Sequence, residues 1–326
     1  MKALVYDGVE TLEYRDVPDA TPQADEHLIR VDAVGICGSD MHAYLGHDAR
    51  RPAPLILGHE AAGVIVGGPK DGMRVTINPL VINPDSAASR AGRENLCPDR
   101  QIISMPPREG AFAELVAMPE RNLVQVPDHV PLTTAALVEP LAVSWHTVRL
   151  TLEAIHPAMD RTALVIGGGA IGLAAALAFK AQGINDVTVV EPNPERRAFL
   201  RDLCGQNTVA VAEGEYPMVV DAVGFSATRA VASAHTQPGG VIAHVGLGDS
   251  DGGFDIRRAT LQEITFIGTY TYTAQDFRDT AEALFDGRLG DVNWIKLRGL
   301  SEGAQAFKDI RAGQVAAPKI VLLPGT

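Results

Sequence analysis

The first 80 residues alternate short apolar runs with polar punctuation. Residues 2–6 (K-A-L-V-Y), 27–34 (H-L-I-R-V-D-A-V), 61–66 (A-A-G-V-I-V) and 73–77 (M-R-V-T-I) are β-branched or alternating segments set apart by Pro, Gly and Asp. Successive strand side chains point to opposite faces, so these runs predict strands, and they are too short and too punctuated for long helices. From 78 to 109 the periodicity gives way to a stretch rich in Pro, Ser, Asn and Arg. It predicts an extended surface lobe, and irregular stretches of this length tend to be functional, interfacial or mobile. Strand character returns at 110–118 (G-A-F-A-E-L-V-A-M) and 123–127 (L-V-Q-V-P).

The second half reads differently. Residues 131–156 carry a mostly helical pattern broken at Pro140, and a strand at 163–166 then runs into G-G-G-A-I-G and an alanine-rich helix. Alternation continues with a strand ending at Glu191, a strand ending at 221–224, a helix near 226–235, strands at 239–246 and 264–270, and a helix over 274–286. Strand and helix in regular alternation predict a doubly wound parallel sheet. The tail, with a strand, a helix and a strand after 290, is expected to return to the first domain. The fold class is therefore α/β: a mostly-β domain from 1–130 and 290–326, and a Rossmann-type domain from 131–289.

At 326 residues the chain is long enough for two cores. Forty acidic against 28 basic residues give a formal charge of −12, which argues against nucleic acid or an anionic membrane as partner. Three cysteines, Cys37, Cys97 and Cys204, make no disulfide framework, and the start M-K-A-L-V-Y-D-G lacks the apolar core of a signal peptide. The expected compartment is the cytoplasm. Apolar stretches stop well short of the roughly 20 residues a membrane span requires.

Candidate chemistry gathers in two places. Between Val34 and Glu60 the chain offers Cys37, Ser39, His42, His59 and Glu60, with glycines at 35, 38 and 58 suited to tight turns. Zinc accepts thiolate, imidazole and carboxylate together. The alternative reading is a buried small hydrophobe beside hydrogen-bonded histidines. Glu139 stands inside the apolar string A-A-L-V-E-P-L-A-V, either as a carboxylate at a helix N-terminus or as a metal ligand.

The second place is Gly167, Gly169 and Gly172, in G-x-G-x-x-G spacing with Ala170 and Ile171 opening the helix. The first glycine permits the turn, the second lets the backbone approach a pyrophosphate, and the third packs helix on strand. Free N–H groups at the helix start attract phosphate. Glu191, 19 positions after Gly172, suits the ribose hydroxyls and repels a 2′-phosphate, favouring NAD over NADP. Arg196 and Arg197 either weaken that preference or are solvated charges of the next helix. Val223, Gly224, Gly246 and Leu247 follow strand ends and are expected to face the cofactor.

Taken together, V-G-I-C-G-S-D-M-H at 34–42, G-H-E at 58–60, G-A-F-A-E at 110–114, V-E-P-L-A at 138–142 and the glycine motif resemble the zinc-dependent medium-chain dehydrogenase/reductase family over essentially the whole chain, nearest to its sorbitol, polyol and sugar-acid branch. The resemblance implies a GroES-like catalytic domain with an inserted Rossmann domain. It implies zinc at Cys37 and His59, with Glu60 and Glu139 as carboxylate partners directly or through water. It also implies hydride transfer from a secondary hydroxyl to NAD, the proton leaving through Ser39 toward His42, although His42 is equally read as a surface residue. A homodimer or homotetramer is the family expectation. Secondary-alcohol or threonine-type amino alcohol oxidation is the neighbouring reading, and a cofactor-binding protein without turnover is the reading of another class.

The chain departs from the family at one point. Many members hold a structural zinc with four cysteines in C-x-x-C-x-x-C-x7-C spacing, but here Cys97 is preceded by Ser89, Ser86 and Asn83 at the other three positions. Neutral Ser and Asn do not replace thiolates in a closed tetrahedral zinc site. A single, catalytic zinc is expected.

Overall fold

The sequence E-H-L-I-R-V-D-A-V-G alternates and then turns wholly apolar, and it folds as the strand Glu26–Gly35, exposed on one face at Arg30 and buried throughout its last three residues. In the computed structural model, which describes residues 1–325, this strand is central to a seven-stranded sheet. The order is Leu123–Gln125, Arg74–Ile77, Glu60–Val66, Glu26–Gly35, Lys319–Leu323, Ile295–Gly299, with Leu115–Pro119 also paired to the central strand. The C-terminal strands thus join a sheet begun at the amino end. A smaller sheet, Thr11–Asp16, Lys2–Gly8 and Leu55–Ile56, packs nearby through the same core. In that core Phe307 lies with its ring centroid 5.2 Å from Tyr44 and 6.0 Å from Phe112.

By contacts the chain divides into two units. The first comprises Met1–Glu139, Thr273–Phe285 and the chain from Ile295 onward; the second comprises Pro140–Tyr272 and Asp286–Trp294. The helix Ala274–Phe285 goes with the first unit, where its leading N–H, on Ala274, donates to Glu94 Oε1 at 2.5 Å.

The second unit holds a six-stranded, wholly parallel sheet in the order Asn207–Val209, Asp186–Val190, Thr162–Ile166, Tyr216–Asp221, Thr236–His244, Thr265–Gly268. The chain winds outward from Thr162–Ile166 in one direction and then restarts beside it in the other. Ligands of such sheets bind where that reversal leaves a crevice at the strands' carboxyl ends. The central strands are near-continuous apolar runs and almost wholly buried, the pattern of a parallel sheet covered on both faces. Among the described residues no helix is long and apolar enough to cross a membrane.

Candidate functional site

Strand register brings the first cluster together. Gly35 pairs with Glu60 on one side and with Val321 on the other. Cys37, two residues past the end of its strand, and His59, one residue before the next, therefore meet at the same sheet end. Their donor atoms and a carboxylate oxygen of Glu60 all lie within 4.8 Å of one another. A Cβ on Gly35 would stand 2.0 Å from Glu60 Oε2, so only glycine leaves room for the carboxylate.

Glu60 is completely buried, and its two oxygens differ. Oε1 accepts a 2.6 Å hydrogen bond from Lys319 Nζ, which also donates to the Ile36 carbonyl at 3.0 Å. Oε2 is buried with no hydrogen-bond partner. Burial alone would push the Lys319 ammonium down, but Glu60, Cys37 and Glu139 hold its pKa above the ordinary value. The pair is a buried ion pair, and removing one partner of such a pair is far more costly than the pair is stabilising.

Asp40 is a further buried carboxylate at this cluster, with no exposed surface. Its Oδ2 accepts from the Cys37 N–H at 2.9 Å, its Oδ1 accepts from the Gly58 N–H at 3.2 Å, and Oδ1 lies 3.4 Å from His59 Nδ1. One carboxylate thus ties the Cys37 and His59 turns together. Burial would lower the pKa of His59, but the facing Asp40 and Cys37 raise it well above the usual imidazole value. Asp40 faces the Nδ1 side of the ring, which leaves Nε2 as the nitrogen it does not engage. A thiolate, an imidazole nitrogen and an unpartnered carboxylate oxygen are a donor set that fits zinc.

The remaining expected residues fall at different places. Ser39 Oγ lies 3.4 Å from His59 Nε2. His42 is on the exposed face of the short helix Gly38–Tyr44. Glu139 is buried in the first turn of the helix Val138–Ala154, near enough to act on Lys319, and stands outside the group of three donors.

In the second unit, Gly167 takes φ +99°, a conformation that favours glycine, and a Cβ there would meet Val223 at 2.4 Å. Around Gly169, at the N-cap of the helix Ala170–Ala181, a Cβ would meet nothing within 4 Å, while at Gly172 it would lie 1.8 Å from the Gly167 carbonyl oxygen. Turn, open approach and tight packing are thus divided among the three glycines, and Ala170 and Ile171 supply the first helical N–H groups. Glu191, nearly buried, accepts from the Gly168 N–H at 3.0 Å and from the Asn193 N–H at 2.8 Å. The Arg197 guanidinium is committed to the carbonyls of Glu191 and Pro192. Arg196 sits in the first turn of the helix Pro194–Asp202, its N–H bound by Asn193. The buried carboxylate of Asp221 shapes the neighbouring loop by accepting from the N–H groups of Val223 and Gly224. Gly248 N–H returns to the Val223 carbonyl, which sets Gly246 and the exposed Leu247 beside that loop.

A doubly wound sheet with an open glycine turn, together with a thiolate, imidazole and carboxylate cluster, is the equipment of a dinucleotide-linked, metal-dependent oxidoreductase. Comparison with known proteins agrees. The alcohol dehydrogenase GroES-like domain model matches residues 23–128, and the zinc-binding dehydrogenase model matches 170–286. The chain belongs to the zinc-dependent medium-chain dehydrogenase/reductase family. It is 29% identical to a probable D-xylulose reductase A of Arthroderma otae, with 96% of this chain and 94% of that protein covered. It is also 29% identical to a probable diacetyl reductase of Saccharomyces cerevisiae, covering 89% and 81%. Galactitol-1-phosphate dehydrogenase from Escherichia coli shares the fold, with a TM-score of 0.88 at 23% identity over 99% of this chain and 100% of that one.

Sequence reasoning missed Asp40 and Lys319. Asp40 stands within C-G-S-D, where its spacing from Cys37 was a usable signal. Lys319 had a fainter one: a lysine opening the apolar strand K-I-V-L-L.

Proposed function

We propose that this chain oxidises a secondary hydroxyl of a polyol, sugar or sugar acid and passes the hydride to NAD. The observation that carries the proposal is the convergence of Cys37, His59 and Glu60 within 4.8 Å, with Glu60 Oε2 buried and unpartnered. Zinc, when bound, supplies Lewis acidity that lowers the pKa of a substrate hydroxyl. Cys37 and His59 are its proposed ligands, and Glu60 and Glu139 its carboxylate partners, directly or through water. Ser39 Oγ, beside His59 Nε2, takes up the released proton, and the exposed His42 passes it to solvent.

The glycine turn holds the pyrophosphate, and Val223, Gly224, Gly246 and Leu247 line the cofactor path. Glu191 supports NAD over NADP because a buried carboxylate repels a 2′-phosphate; Arg196, on the adjoining helix, is the residue that would moderate that preference. The xylulose reductase relative supports a polyol substrate. The diacetyl reductase relative supports a second reading, a simple secondary alcohol beside another oxygen function.

One zinc per chain is proposed, because Asn83, Ser86 and Ser89 offer no thiolates. A homodimer or homotetramer is supported by the edge strand Thr265–Gly268, whose Phe266 is exposed with Leu261 close by in sequence. Three free cysteines suit a reducing cytoplasm.

The test is NADH formation across polyols, aldonates, amino alcohols and alkanols, with NAD and NADP, before and after zinc removal by a chelator. Polyol oxidation with NAD that disappears on zinc removal is the expected outcome. Activity untouched by thorough zinc removal refutes the reading, and zinc-loaded protein that binds NADH yet oxidises nothing in the panel favours a binding protein without turnover.

A further inference from the structure

Arg51 is 3% exposed, and its guanidinium is spent entirely inside the first unit. Nε donates to the Ser104 carbonyl at 3.0 Å. One terminal nitrogen donates to Asp48 Oδ2 at 2.6 Å and to the Ser39 carbonyl at 3.4 Å, and the other donates to Ser39 Oγ at 3.4 Å. Asp48, which Arg50 also binds at 2.8 and 2.9 Å, is its carboxylate partner. A planar fork of five N–H donors is the side chain able to reach three segments at once, which a lysine's single ammonium is not.

The two residues it grips both lie against His59. Ser39 Oγ is 3.4 Å from His59 Nε2, and Ser104 Oγ is 3.4 Å from His59 Nδ1. A hydroxyl that accepts from a guanidinium keeps one hydrogen and one lone pair, so Arg51 fixes how the Ser39 hydroxyl is turned beside the imidazole. Ser104 is wholly buried and has φ +71°, a left-handed conformation sparsely populated by residues other than glycine. The bond from Arg51 to its carbonyl holds that conformation, which delivers the Ser104 hydroxyl to the same ring nitrogen that Asp40 faces.

We propose that Arg51 is a positioning residue: one buried guanidinium orients the relay hydroxyl of Ser39 directly and the metal-ligand ring of His59 through Ser104. The proposal rests on the metal site and the alcohol oxidation inferred above. Residues that orient metal ligands typically change metal affinity or activity about 10- to 100-fold when replaced.

The experiment compares wild-type protein with Arg51→Lys and Ser104→Gly. Its readouts are the zinc dissociation constant from chelator competition, the visible spectrum after cobalt(II) substitution, kcat and KM, and the melting temperature. Arg51→Lys is expected to lower kcat about tenfold with KM moved by roughly threefold or less, and to weaken zinc about tenfold. Ser104→Gly adopts φ +71° freely, so it is expected to melt no lower than wild type, yet to bind zinc about tenfold more weakly with an altered cobalt spectrum. Wild-type zinc affinity and spectrum in Ser104→Gly, or wild-type kcat and affinity in Arg51→Lys, overturn the proposal. Should Arg51→Lys fail to fold, Ser104→Gly decides alone. A wild type that binds zinc but oxidises no alcohol refutes the functional reading while the affinities still judge Arg51, and a wild type that binds no zinc refutes both.

Discussion

Two segments of the first unit present polar side chains at spacings suited to a metal, and they satisfy those side chains in opposite ways. Around Cys37, His59 and Glu60 the supporting bonds come from behind: Asp40 holds the Cys37 turn and faces His59 Nδ1, Lys319 holds Glu60 Oε1, and Glu60 Oε2 is left without a partner. Around Asn83, Ser86, Ser89 and Cys97 the bonds close on themselves. Ser86 Oγ donates to Ser89 Oγ at 2.8 Å, Ser89 Oγ to the Asn83 carbonyl at 2.6 Å, and Cys97 Sγ to the same carbonyl at 3.9 Å, while Ser89 N–H donates to Ser86 Oγ at 3.1 Å. Burying an unpartnered charged oxygen is costly, and a fold that maintains one does so because something else completes it. The first cluster keeps one buried carboxylate oxygen without a partner beside a thiol and an imidazole, a donor set that fits a cation; the second is a hydrogen-bonded knot.

The sharpest way to break that contrast is to remove a proposed ligand. Protein as isolated is expected to carry one zinc per chain by elemental analysis. Cys37→Ala should carry little, with activity reduced on the order of 10³-fold or more, since a bound metal supplies several kcal/mol of charge stabilisation. Retained zinc in that variant, or two firmly held zincs in the wild type, would reverse the roles assigned to the two segments.

A smaller effect comes from the support behind the site. Lys319→Met leaves Glu60 buried without its cation, which should cost about 3–5 kcal/mol and lower the melting temperature by on the order of 10 °C. Pairing it with Glu60→Gln should recover much of that loss without restoring activity. Equal melting temperatures for Lys319→Met and wild type would mean that Oε1 needs no partner and that the contrast between the two oxygens has been misread.

Local patterns made the fold legible and part of the site with it. The alternating runs before residue 80 and the strand, glycine turn and helix at 162–181 are short-range features, so their periods translate directly into strands and helices. Cys37, His59 and Glu60 were grouped because they lie within 24 residues of chain, and strand pairing then brings their donors within 4.8 Å. Lys319 was not legible, because it reaches Glu60 across 259 positions of sequence and only strand register joins them. Arg51 and Ser104 were silent for a related reason: their meaning lies in a buried polar network, and sequence statistics place arginine on the surface. Glu139 fits both of its readings at the level of the helix, since the first turn welcomes a carboxylate whether or not a metal is near.

The mildest change tests the knot. Ser89→Ala removes one donor, to the Asn83 carbonyl, and one acceptor, from Ser86 Oγ, in a half-buried setting. If hydrogen bonds alone organise residues 83–97, the loss should be about 1–2 kcal/mol in denaturant unfolding, with zinc content, kcat and KM unchanged because none of these groups touches the other cluster. Zinc content that falls with Ser89→Ala would tie the lobe to a metal after all. No loss of stability would instead assign its order to the Glu94 contact with Ala274, which Glu94→Gln would weaken while leaving the knot whole.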